Sequence, residues 1–293
     1  MSIAAHKLAS GDGWRVHDVV CSHGPRDRTF EERHASVSIA AVTAGTFQYR
    51  TQTGSATLAP GALLLGNEGA CYECGHAHAV GDRCIAFHLD PPLFESVAAA
   101  QPGLRSARFR RPSLPPLPRL VPLLAEAEAA RDDRDADAFE ELTLRLATAA
   151  LVLDTGDSAH NQGVSARDEK RISAALRRIG AEPQAPHSLA GLAREAGMSR
   201  YHFLRVFHRV AGLTPHQYVL RLRLHRAALR LRDSAAPITR IAYESGFNDL
   251  STFNHRFRRC MGMTPGAWRN CRSRIQSCAV FRSASEYPSP RTT

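Results

Sequence analysis

The sequence predicts a two-domain α+β chain: an antiparallel β-barrel or sandwich with a helical segment at its end, then an all-α domain. Three observations carry this expectation. Up to about residue 97 the chain runs in short apolar or alternating stretches punctuated by glycine and proline. Residues 119–153 then switch to helical spacing. From Arg167 onward the pattern is helical and holds one unit twice. At 293 residues the chain is long enough for two filled cores.

Within the first stretch, Val37–Val42, Thr46–Tyr49, Ala56–Leu58, Leu63–Leu65 and Cys84–Leu89 read as strands. Gly45, Gly54, Pro60–Gly61, Gly66 and Gly81–Asp82 mark the turns between them. Residues 102–118 are rich in Pro and Arg and are expected to wrap the barrel irregularly. Leu120, Leu123, Leu124 and Ala127 then repeat at helical spacing, as do Leu142, Leu146, Ala149, Ala150 and Leu153. The acidic stretch RDDRDAD separates these two helices. Such a pair fits either packing on its own barrel or dimerisation. Residues 154–166 are small and polar and read as a linker. This divides the chain into 1–153, a linker at 154–166, a helical domain at 167–272 and an expected disordered tail at 273–293.

Charge follows the same division. Residues 1–164 hold 15 Lys+Arg against 20 Asp+Glu, whereas residues 165–275 hold 21 against 7. A basic half on a mildly acidic partner points to a polyanion bound by the second half alone. No run of about 18 apolar residues exists, and the first residues lack the apolar core of a signal peptide. A cytoplasmic location is therefore expected, and most of the seven cysteines should be free thiols.

The repeat lies in the basic half. One copy is SLAGLAREAGMSRYHFLRVFHRVAGLTPHQY and the other is ITRIAYESGFNDLSTFNHRFRRCMGMTPGAW. Each has the local physics of a helix-turn-helix. Leu189, Leu192 and Ala193, or Ile238, Ile241 and Ala242, face inward on a short helix. Gly197 or Gly246 takes the left-handed conformation that ends it. Met198 or Phe247 plugs the corner, and Ser199 or Asp249 caps the next helix. That helix buries Phe203 and Phe207, or Phe253 and Phe257. Thr214–Pro215 starts a linking helix with proline at its first position. A single helical hairpin of this kind is common in α-helical cores. Two in order, both arginine-rich and both ending GxTP, point to DNA.

At residues 242–269, AYESGFNDLSTFNHRFRRCMGMTPGAWR, the chain resembles the AraC/XylS family of transcription regulators, over roughly residues 168–272. The resemblance implies a seven-helix domain whose two recognition helices enter successive major grooves of double-stranded DNA. It implies contacts from Arg200, Tyr201, Leu204 and Arg205 in the first helix, whose outward face, by helical spacing, also shows Arg209. In the second it implies Leu250, Ser251, Thr252 and His255, and the same outward face shows Arg258. His255 stands where an arginine is common in the family. Leu204 and Leu250 offer bases no hydrogen bond, although Leu250 suits a thymine methyl. Family members commonly carry an N-terminal cupin-like barrel that binds an effector and forms homodimers. An activator would also engage RNA polymerase. Gly54-x5-Pro60-Gly61 and Glu32-x-His34 resemble the two cupin motifs. Ser38 and Tyr72 replace two members of the usual cupin metal set, so the expectation is no enzymatic activity. The alternative is a cupin-type enzyme fused to a DNA-binding domain.

One stretch stands apart. Residues 69–84, GACYECGHAHAVGDRC, carry Cys71, Cys74, His76, His78 and Cys84. On a strand, Cys74, His76 and His78 share a face, and Cys84 can join them across the Gly81–Asp82 turn. Three readings stay open. The tetrad Cys74, His76, His78 and Cys84 fits zinc. Cys71, Cys74 and Cys84 fit redox sensing if nearby His and Arg83 lower a thiol pKa. Or the cysteines are small core residues.

Overall fold

The computed structural model describes residues 3–27, 30–76, 80–101, 104, 106–154 and 164–270. His78, most of the expected linker and the whole expected tail lie outside the described residues.

The first half is sheet-rich. Its strands are β1 (Ile3–Gly11), β2 (Trp14–Cys21), β3 (Phe30–Arg33), β4 (Val37–Gly45), β5 (Phe47–Thr51), β6 (Gly54–Leu58), β7 (Leu63–Gly66), β8 (Cys71–Gly75) and β9 (Asp82–Leu89). Helix α1 (Pro91–Ala99), strand β10 (Ser113–Leu114) and helices α2 (Val121–Asp133) and α3 (Ala138–Leu153) follow. All described pairings are antiparallel. They form a six-stranded sheet ordered β1-β2-β9-β4-β7-β10 and a four-stranded sheet ordered β3-β8-β5-β6. The strands thus divide between two sheets rather than closing one cylinder. The expected strands are present. The β1–β2 hairpin, β3 and β10 are strands that the sequence pattern did not mark, and β8 ends at Gly75, before His76.

Alternation along the strands sorts two cores. Ile85, Phe87 and Leu89 of β9 face the helices and pack with Phe139, Leu142 and Leu146 of α3. Cys84 and Ala86, on the other face, pack between the sheets with Phe47, Tyr49, Leu58 and Cys74. The Pro-rich segment is pinned by Asn67, whose Nδ2 donates to the Phe109 carbonyl at 2.9 Å while its Oδ1 accepts from the Phe109 amide at 2.8 Å. The acidic break ends α2 through Arg134 in the left-handed conformation, at φ 56°.

The second half holds α4 (Ala166–Ala181), α5 (Leu189–Glu195), α6 (Arg200–Ala211), α7 (Pro215–Asp233), α8 (Ile238–Glu244) and α9 (Leu250–Met261). A further helical stretch begins at 265–270, the edge of the described residues. Each helical hairpin owns a core. Ile172, Leu176, Leu192, Phe203, Phe207 and Tyr218 build the first. Leu224, Ala227, Leu231, Ile241, Phe253, Phe257 and Trp268 build the second.

The halves are packed on each other. Val121 and Ala125 of α2 belong to the second hairpin's core, and Ala59, just after β6, belongs to the first. Tyr218 Oη donates to the Pro60 carbonyl at 3.2 Å, and His225 Nε2 lies 2.8 Å from Glu128 Oε1. Of the two roles open to the helical pair, α3 covers its own sheet and α2 bridges to α7 and α9.

Candidate DNA interface

The turns form as the residues dictate. Gly197 and Gly246 sit at φ +60° and +88°, the left-handed conformation that glycine tolerates. Ser199 accepts from the His202 amide at 3.2 Å. Asp249 accepts from the Ser251 and Thr252 amides at 3.2 and 2.6 Å. Bonds from the Thr252 side chain and backbone hold the Asp249 carboxyl below its ordinary range. Thr214 and Gln217 form a capping box at the start of α7.

Phe203, Phe207, Phe253 and Phe257 are fully buried, which fixes the opposite faces of α6 and α9 outward. On α6, Arg200, Tyr201 and Arg205 are exposed, with Tyr201 at 77%. Leu204 and Arg209 are half-buried. On α9, Ser251, Thr252, His255 and Arg258 are exposed, and Leu250 is half-buried against the core. Neither helix carries an acidic side chain. These two faces are therefore cationic and rich in hydrogen-bond donors, as phosphate and base edges require.

Several other arginines of this half have structural partners. Arg178 pairs with Glu195, and Arg230 and Arg240 both pair with Glu244. Arg221 donates to the Pro116 carbonyl across the boundary between the halves. Arg226 Nη1 donates to Gln184 Oε1 at 2.6 Å. Composition cannot separate such residues from surface contacts; burial of the facing phenylalanines does. His202, unmarked in the sequence, ties α6 to Asp168 of α4 at 3.2 Å. Arg205 rests against His202 at 3.4 Å.

Among the cluster residues, Cys74, His76 and Cys84 are buried and Cys71 is half-buried. Arg83 turns away from the thiols onto Asp18, at 2.6 and 2.9 Å, because alternate residues of β9 face opposite sides. Burial, with Asp82 nearby, pushes the Cys74 and Cys84 thiols up rather than down. The expected lowering by Arg83 is therefore absent at Cys74 and Cys84.

Comparison with known proteins places the second half. A helix-turn-helix domain model matches residues 192–270. The transcriptional activator RhaR of Klebsiella pneumoniae is 31% identical over 144 residues, 49% of this chain and 50% of its own. A Streptomyces antibioticus protein provisionally named an AraC-like transcription regulator is 32% identical over 98 residues, 33% of this chain and 32% of its own. The chain thus spans half or less of the length of these curated relatives. Among solved structures, the DNA-binding domain of the transcriptional factor AdpA, crystallised with a target DNA, is 26% identical. It covers 36% of this chain and 96% of its own at a TM-score of 0.35. The second half thus carries a helix-turn-helix domain similar in sequence to those of RhaR and the AraC-like regulator.

Proposed function

We propose that the protein is a sequence-specific, DNA-binding transcription regulator that responds to an effector through its first half. The observation that carries this reading is the pair of capped recognition helices, α6 and α9. Each is held by two buried phenylalanines and each turns a basic, acid-free face outward. The rigid helix α7 sets their spacing, which suits two successive major grooves. Arg200, Tyr201, Arg205 and Arg209, and Ser251, Thr252, His255 and Arg258, supply the contacts. Leu204 and Leu250 pack beside them.

Effector response is supported by a cavity of about 210 Å3 between the halves. Thr57 and Arg111 line it from the first half, and Val210, Gly212 and Tyr218 from the second. An occupant there touches the end of the first recognition helix directly. A homodimer joined through α3, on which Leu144 and Val152 are exposed, fits the same reading. An activator would add RNA polymerase as a partner. The cupin-like reading of the sheets is kept without an enzymatic role. Tyr72 stacks on His34 at 4.1 Å, and Ser38 Oγ lies 3.1 Å from His88 Nδ1, where a cupin enzyme would hold metal ligands. No described helix is long and apolar enough to cross a membrane, in keeping with a cytoplasmic role.

Selection of bound fragments from the source genome by full-length protein tests the reading. A recurrent site, bound with affinity that falls steeply with salt, is expected. Enrichment of no sequence over random DNA would refute it.

A further inference from the structure

Strand register brings together residues far apart in sequence. On the β2–β9 ladder Cys21 stands opposite Asp82. His76 follows the end of β8, in the other sheet. Ligand atoms of Cys21, His76 and Asp82 all lie within 4.8 Å of one another. His76 Nε2 is 2.5 Å from Asp82 Oδ1, with side chains only 2% and 7% exposed. Cys84 Sγ lies 3.5 Å from Asp82 Oδ2.

We propose that Cys21, His76 and Asp82 bind a divalent metal ion of the zinc type, with Cys84 as the fourth ligand. The donor set is one nitrogen, one carboxylate and two sulfurs, which suits zinc or cobalt and not magnesium or calcium. Zinc bonds of about 2.0–2.3 Å place tetrahedral ligands roughly 3.3–3.8 Å apart.

Charge gives a second argument. A buried carboxylate is costly unless a cation or strong donors face it. The groups on Asp82 are an imidazole and thiols. The adjacent cation, Arg83, is spent on Asp18. A metal ion would supply a full positive charge beside Asp82 and displace the thiol protons. His23 Nδ1, 3.2 Å from Cys21 Sγ, is placed to take one of them. The site joins β2 and β9 of the larger sheet to the end of β8 in the smaller, so metal binding pins the two sheets together. It changes the expected ligand set. Cys21 and Asp82 enter, and Cys74 stays in the core between the sheets.

The test uses full-length protein, reduced, stripped with chelator and titrated anaerobically with Co2+. One equivalent is expected, with the visible absorption of tetrahedral thiolate-bound cobalt, displaced by Zn2+. Cys21→Ser and Asp82→Asn should each weaken binding at least tenfold, while Cys71→Ser should leave it unchanged. Far-UV circular dichroism and DNA binding report whether each variant is folded. If Cys21→Ser does not fold, the wild-type spectrum and Asp82→Asn decide the matter. A wild-type protein without the tetrahedral spectrum, or a folded Cys21→Ser variant with wild-type affinity, overturns the proposal.

Discussion

Arg223 Nη1, on the helix joining the two hairpins, donates to the carbonyl of Gly246 at 2.6 Å. The same guanidinium donates from Nε to the Pro183 carbonyl at 2.7 Å and from Nη2 to the Ala185 carbonyl at 2.9 Å. One planar fork thus holds both the turn of the second hairpin and the segment leading into the first. It fixes the relation between the recognition helices from inside the domain. A lysine carries the charge but not the fork. Arg223→Lys should lower stability by about 2 kcal/mol in denaturant titration and weaken specific DNA binding. An unchanged midpoint would mean that these bonds are replaced by water without loss.

Two left-handed glycines separate backbone strain from crowding. A Cβ on Gly262, at φ +77°, would meet nothing within 4 Å. A Cβ on Gly246, at φ +88°, would lie 2.8 Å from the Gln184 carbonyl oxygen and 2.9 Å from Arg223 Cζ. Gly262→Ala should cost only the left-handed penalty of about 1–2 kcal/mol. Gly246→Ala should cost clearly more, because the Arg223 fork must also move. Equal losses of stability would contradict this packing.

Tyr201 and Phe203 are neighbours on α6 with opposite duties. Tyr201 is 77% exposed and Phe203 is fully buried. Tyr201→Ala should leave the melting temperature within error and reduce DNA affinity. Phe203→Ala should cost about 3–5 kcal/mol of stability. Melting curves alongside fluorescence anisotropy on labelled DNA distinguish the two outcomes.

The hairpins were legible because their signals are local: a glycine, a cap three residues from its amide, and phenylalanines four apart. What the sequence hid is long-range. Cys21 lies fifty-five residues before His76, and only the β2–β9 register sets it opposite Asp82. Arg83 looked like a neighbour of Cys84 but sits on the other face of β9. The amphipathic α2 showed an apolar stripe without saying what covers it; α7 and α9 of the other half do so.

Two histidines should make the first half acid-sensitive. Burial lowers the pKa of both His34 and His88 from 6.5 to about 4. Each is neutral in the folded state, and the unfolded chain binds its proton first. Stability should therefore be full above about pH 6.5 and fall as pH drops towards about 4, by up to roughly 3 kcal/mol per histidine. Denaturant midpoints across this window, compared with a His88→Gln variant, check the sign. Stability that rises on acidification would contradict it.

The central claim is that both recognition helices read DNA. The direct measurement is footprinting and affinity of full-length protein on its selected site, for wild type, Arg205→Ala in α6 and His255→Ala in α9. The account predicts two protections on one face of the duplex, about one helical turn apart. It also predicts that Arg205→Ala loses about 1–3 kcal/mol on that site but less on random DNA, and that His255→Ala weakens the second protection. A single protected groove, or both variants binding as wild type, would contradict it.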